Sequence, residues 1–223
     1  LLYLIVGMVA FWARPQHRGA RAHLLMTCAV TLFGVTNNDI DGPRGLLPLF
    51  VLGYPLLGSA MLHLALVFPA APRSLSLREP GGRRSWPVLE WLPYLGTLAI
   101  TVPWAFVFRP EAYEVAPERY ETHMLLYNIA NAWVGVGFLG LLGAVAWKSW
   151  RSAEETQRRQ ARIALGGACV AFLPILVTWL VPFLFFKGAA IGPLGQMVYY
   201  SYVASVVFPL AVALLARVAE PVG

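Results

Sequence analysis

The sequence predicts an all-α, polytopic integral membrane protein: a bundle of about seven transmembrane helices, N-terminus out and C-terminus in. Three observations carry this reading. First, 58% of the 223 residues are hydrophobic, only 13% are charged, and the mean hydropathy is +0.63; an ordinary soluble domain carries roughly 25% charged residues. Second, several stretches free of Asp, Glu, Lys and Arg are long enough, or nearly so, for a hydrocarbon core that takes about 20 helical residues to cross. Third, the remaining charges change sign from one connection to the next. The 17 prolines and 20 glycines do not make the chain disordered, because disorder requires low hydrophobicity. A β-barrel is excluded because the stretches are apolar on all faces and do not alternate every second residue.

The elements follow in order. Span one, Leu1–Ala13, is short. It opens on Leu and lacks a charged n-region or a cleavage site, so it is expected to continue upstream as a longer helix and not to be a signal peptide. Arg14, Arg18 and Arg21 follow without an acid. Span two, Ala22–Asn37, precedes Asp39, Asp41 and Arg44. After span three, Leu46–Ala71, come Arg73, Arg78, Arg83 and Arg84 with Glu79 and Glu90. Span four, Trp91–Phe108, leads into Glu111, Glu114, Glu118 and Glu121 with Arg109 and Arg119. Span five, His123–Trp147, is followed by Lys148, Arg151, Arg158, Arg159 and Arg162 with Glu154 and Glu155. Spans six and seven, Ile163–Phe186 and Gly188–Ala216, are separated by Lys187 and closed by Arg217. Pro55, Pro103, Pro174, Pro182 and Pro209 fall inside spans, where neighbouring helices can satisfy the carbonyls they free.

Placing the odd connections and the C-terminus on one side gives that side 13 of the 17 lysines and arginines. Such a surplus marks the cytoplasmic face and sets the orientation. It also assigns the net charge of +6 to membrane topology, with no nucleic-acid partner. Trp12, Trp86, Trp91, Tyr94, Trp147, Trp150, Tyr199 and Tyr200 sit where spans meet water, as an aromatic belt does. No repeat, low-complexity tract or second domain is visible, so residues 1–223 read as a single transmembrane helical domain.

Polar groups within the spans are few. Cys28 and Cys169 lack a CxxC partner and read as buried and inert. A haem between two helices needs two histidines facing each other at equal depth. His23 reaches the depth of His63 only with distortion, and His123 lies at the opposite boundary. His63 is therefore expected in an interhelical hydrogen bond, and no cofactor or metal is expected. No acid or lysine falls inside a span, which argues against proton pumps, ion-coupled transporters and retinal proteins. With no HExxH, GxSxG or phosphate-binding loop, no catalytic residue is assigned and the chain does not read as an enzyme. The run KSWRSAEETQRRQAR, residues 148–162, reads as a cytoplasmic helical extension drawn to anionic lipid headgroups. Asn128 and Asn131, with Trp104, Trp179, Tyr199, Tyr202 and Ser205, form a candidate ligand pocket opening on the outer side between spans four to seven.

Four strings carry a family resemblance. They are the start LLYLIVGMVAFWARPQHRGARAHLLMTCAVTLFG, the string LHLALVFP at Leu62–Pro69, RRQARIALGGACVAFLPILV at Arg158–Val177, and FPLAVALLAR at Phe208–Arg217. In this order they resemble the multi-pass N-terminal sensor module of bacterial signalling proteins. That module precedes competence-sensor-type histidine kinases, sporulation-type serine phosphatases and cyclases. The resemblance covers nearly the whole chain, and its motifs are mostly apolar. His63, Pro69, Pro174, Pro209 and Arg217 match the family strings, and none is catalytic there. The resemblance implies a multi-pass protein of the bacterial inner membrane. Its function would be to couple an extracellular or membrane cue to a cytoplasmic output domain beyond Gly223. Lipids and a second copy of the chain are the expected partners. The competing reading is a non-catalytic accessory subunit of a larger respiratory or photosynthetic membrane complex, packing against helices, lipids or pigments of neighbouring subunits.

Overall fold

The computed structural model describes residues 2–39, 45–68, 88–109, 114–115, 117–152, 154–175 and 210–211. Seven helices run through them: α1 Leu2–Ala13, α2 Arg18–Asp39, α3 Leu47–Val67, α4 Val88–Trp91, α5 Pro93–Ala105, α6 Tyr120–Arg151 and α7 Glu155–Ile175. The strands β1, Phe108–Arg109, and β2, Glu114–Val115, form a two-residue antiparallel pair between α5 and α6, with Phe108 opposite Val115. A single 3-10 turn, Pro117–Arg119, then leads into α6.

Among the described residues, α2 (over Arg18–Asn37), α3 and α6 are long and apolar enough to cross a membrane. At 1.5 Å per residue the 12-residue α1 and the 13-residue α5 reach only about 18–20 Å, short of a core of about 30 Å. Span four is not the continuous helix expected from Trp91. The chain breaks at Leu92, because Pro93 has no N–H to continue α4 and instead starts α5 from a first-turn position. The six earlier spans each have a helical counterpart, while the seventh lies outside the described residues except for helical residues 210–211.

The extension expected over residues 148–162 is two helices, not one. Ser152 adopts an extended conformation after α6, and α7 starts three residues later, well before Ile163. Arg158 holds the break, donating from Nε and Nη2 to the Ser152 carbonyl at 3.3 and 3.0 Å.

Consecutive long helices run antiparallel, and contacts at both ends fix this. At one end Arg18, the start of α2, meets Glu90 in α4. At the same end Lys148 of α6 donates to the carbonyls of Ala65 (3.0 Å) and Phe68, where α3 finishes. At the other end Phe33 of α2 stacks on Tyr54 of α3, with ring centroids 4.9 Å apart, and Trp104 of α5 meets His123 of α6. Among the described residues the first end carries Arg14, Arg18, Arg21, Lys148, Arg151, Arg158, Arg159 and Arg162 against Glu90, Glu154 and Glu155; the second carries Asp39, Glu114, Glu118 and Glu121 against Arg109 and Arg119. They are the basic and acidic ends below.

α3 is the hub, packing against α2, α5 and α6, while α1 lies on α2 and α7 on α6. Its contact with α6 is a crossing of backbones. A Cβ added to Gly137 would lie 2.7 Å from Gly58 Cα and closer still to its carbonyl oxygen, so only glycine fits there. Small residues allow such close approach where lipid offers no hydrophobic drive. α7 seats a stripe of alanines, Ala161, Ala164, Ala168 and Ala171, in the core shared with α2, α3 and α6. Leu95, Leu98 and Val102 of α5 and Val136 and Leu139 of α6 face outward and exposed. A soluble surface rarely shows so large an apolar area, whereas lipid contact requires it. Cys28 is half-buried; Cys169, expected to be buried, is exposed on the outer face of α7.

Candidate functional site

Most of α3 is buried, so its polar side chains must find partners on neighbouring helices. They do so in three layers. In the middle layer, Pro55 has no N–H and leaves the Val51 carbonyl without its helical donor. Thr101 of α5 supplies a hydroxyl 3.2 Å away. Thr97 donates likewise to the Pro55 carbonyl at 3.2 Å. Ser59 donates to the Pro93 carbonyl at 2.7 Å and accepts from Trp133 Nε1 at 3.1 Å, joining α3, α5 and α6.

The layer toward the acidic end is aromatic. Phe33 and Phe50 each stack on Tyr54. Tyr54 hydrogen-bonds Asn131 through its hydroxyl, and Tyr127 lies against both Tyr54 and Trp104. Trp104 is fully buried and donates from Nε1 to His123 Nδ1 at 3.0 Å. This layer holds the described part of the candidate pocket. Trp104 and Asn131 join the same α3–α5–α6 cluster, where each is already engaged, Trp104 by His123 and Asn131 by Tyr54. Asn128 is exposed on α6. Trp179, Tyr199, Tyr202 and Ser205 lie outside the described residues.

The layer at the basic end is charged. Glu90 is only 4% exposed, and its Oε1 accepts from Arg18 Nη1 at 2.7 Å. Its Oε2 lies 4.0 Å from His63 Nε2. His63 Nδ1 is 3.0 Å from the Tyr94 hydroxyl, and its ring packs against Trp91 and Tyr94 with centroids 5.3 and 5.7 Å away. Four residues thus tie α2, α3, α4 and α5 together. Glu90 is held by the break at Leu92: α4 ends there, so its carboxylate turns into the bundle while α5 continues beyond it. A buried carboxylate persists only when paired and hydrogen-bonded, and Arg18 meets that requirement while keeping 46% of its own side chain in solvent.

His63 makes the interhelical hydrogen bond expected of it, and its two nitrogens face Tyr94 and Glu90. His23 is fully buried, and neither ring nitrogen has a hydrogen-bond partner among the described residues. No group of three or more His, Cys, Asp or Glu among them is placed to hold a metal. Of the other residues matching the family strings, Pro174 lies in α7, and Pro69, Pro209 and Arg217 lie outside the described residues.

One sequence expectation is corrected: Glu90, counted with the charges of a connection, is an acid drawn into the bundle. Tyr94, expected in the interfacial belt, is half-buried beside the exposed Trp91 and also engages His63. A signal for the burial of Glu90 exists in the string WPVLEWLPY, residues 86–94, where one acid stands among aromatic and aliphatic neighbours between two prolines.

Comparison with profiles of known families, with curated proteins and with solved structures gives no match.

Proposed function

We propose that this chain is a membrane signal-input module: seven transmembrane helices, N-terminus outside, in the bacterial inner membrane, coupling an extracellular or membrane cue to a cytoplasmic effector. The observation that carries the reading is the Arg18–Glu90–His63–Tyr94 group at the basic end. It latches four helices together through polar contacts that a modest rearrangement makes or breaks. A sensor needs two packings of one bundle separated by a few kcal/mol, with the cue binding one better than the other. The cue is read at the acidic end, at the cluster that holds Asn131 and Trp104; the pocket expected from the sequence adds Asn128, exposed on the same helix, and Trp179, Tyr199, Tyr202 and Ser205, which lie outside the described residues. The latch sits at the end that faces the effector. The four strings resembling bacterial sensor modules support the same reading.

The test is a chimera in which a cyclase domain follows Gly223. Glu90→Gln and His63→Gln are expected to change cyclase output at unchanged membrane abundance. Output unaffected by either variant, in a chimera that is active, defeats the proposal. The second reading, an accessory subunit of a larger complex, draws on the outward apolar faces of α5 and α6, which suit neighbouring helices as well as lipid. Purification in a mild detergent distinguishes the two, because an accessory subunit brings stoichiometric membrane partners with it.

A further inference from the structure

The outward face of α7 changes character at one point. Arg159 and Arg162 are exposed and lie about 60° apart around the helix, at 100° per residue. The same face continues as Ile163, Gly166, Cys169 and Val170, all exposed and none charged. On α6 the outward face runs the other way, from Val136 and Leu139 to Trp147, Trp150 and Arg151. Counting 1.5 Å per residue from the intervening break, Arg159 on α7 and Trp147 on α6 stand at about the same height, some 6 Å along each helix. Exposed tryptophan at that height marks the headgroup boundary of a bilayer.

The acids of this hairpin are already engaged. Glu155 pairs with Arg158 at 3.3 Å, and Glu154 accepts from Gln157 at 2.7 Å. Arg151 lies over the Trp147 ring, 5.2 Å from its centroid. Arg159 and Arg162 have no hydrogen-bond or ion-pair partner among the described residues. Their guanidiniums therefore stand unneutralised at headgroup depth, above an apolar surface suited to acyl chains.

We propose that the α6–α7 hairpin is a binding site for anionic phospholipid, with Arg159 and Arg162 taking the headgroup phosphates, Arg151 and Trp147 lining the same depth, and the Ile163–Val170 face receiving the acyl chains. A guanidinium suits this role because its planar fork matches phosphate oxygens, and each basic side chain near an anionic surface contributes about 1 kcal/mol. Hydrogen bonds then hold the lipid at a defined place, beyond the general attraction of a basic face.

Cys169 lies two turns beyond Arg162 on the same face, so it reports directly on this site. The full chain carrying Cys28→Ser is labelled at Cys169 with a small fluorophore and placed in phosphatidylcholine vesicles containing phosphatidylglycerol. One or the other lipid carries brominated chains that quench on contact. Brominated phosphatidylglycerol is expected to quench in preference to brominated phosphatidylcholine. Arg162→Gln is expected to lower that preference about fivefold, the equivalent of about 1 kcal/mol, with Arg159→Gln in the same direction and helical circular dichroism unchanged. Arg21→Gln, which removes the same charge from the same end but from a guanidinium engaged by Pro15 and Gln16, is expected to leave it in place. Equal quenching by the two lipids overturns the proposal, as does a preference that survives the Arg159→Gln, Arg162→Gln double variant. An equal loss with Arg21→Gln also overturns it, because that is the response of a diffuse surface potential. Quenching by neither lipid overturns it in favour of a protein covering this face.

Discussion

At the scale of single residues, the asymmetry of the Arg18–Glu90 pair makes the sharpest prediction. The Glu90 side chain is 6% exposed and that of Arg18 46% exposed. Removing Arg18 strands a buried carboxylate, while removing Glu90 leaves a guanidinium that water still reaches. Arg18→Ala is therefore expected to destabilise the protein by about 2–4 kcal/mol and Glu90→Ala by about 1–2 kcal/mol. The double variant should recover part of the Arg18→Ala loss, as coupled neighbours do. Thermal unfolding in detergent measures all three, and the reverse order for the single variants contradicts the geometry. His17, on the turn between α1 and α2, gives a pH prediction. Partial burial and the positive charge of Arg14 hold its pKa below the ordinary 6.5. The folded protein therefore binds this proton less readily than the unfolded chain. The stability His17 contributes is complete above pH 6.5 and is lost as the pH falls below it. His17→Gln should flatten the dependence of Tm on pH in the acid range.

Among the elements, the α3–α6 crossing and the proline sites determine what can change. Gly137→Ala pushes a methyl group against the Gly58 backbone, which has no soft side chain to yield. A loss of about 2 kcal/mol or more is expected, by analogy with overpacked cores. Gly143, on the same helix, has nothing within 4 Å of an added Cβ. Gly143→Ala should be neutral or stabilising by up to about 1 kcal/mol, since alanine is the better helix former. Equal effects from the two substitutions would show that the crossing is not backbone-to-backbone. Pro55, inside its span, has the carbonyls around it satisfied by the hydroxyls of Thr101 and Thr97, as neighbouring helices allow. Pro93, by contrast, separates α4 from α5.

For the whole molecule, the alternation of helix direction and the segregation of charge lead to one topological prediction. Single cysteines at Ser76 and Glu114, in a chain whose Cys28 and exposed Cys169 are replaced, should label from opposite sides of intact cells, Glu114 from outside. Labelling of both positions from one side overturns the orientation. Labelling of Glu114 from outside alone would set the acidic end, with Glu114, Glu118 and Glu121, outward and the basic end, with Arg18, Glu90 and the α6–α7 hairpin, toward the cytoplasm. Of the described helices, α3 and α5 contribute to all three polar layers, so under the proposed function they are the elements that connect the two ends.

The helical class and the three described helices long and apolar enough to cross a membrane, α2, α3 and α6, were legible in composition and hydropathy alone. These properties depend on how each local segment partitions between lipid and water. His63 was legible for a related reason: an imidazole deep in an apolar span must find a partner. The identity of the partners was not. Arg18 and Glu90 are 72 residues apart, Tyr54 and Asn131 are 77, and Lys148 and Phe68 are 80. Nothing local in the sequence distinguishes Glu90 from Glu79 except its apolar neighbours. Only the packing of α2, α3 and α4 draws its carboxylate out of water and sets it between Arg18 and His63. Composition determines that a segment leaves water; the pairing of the few polar groups it takes along is decided where the helices meet.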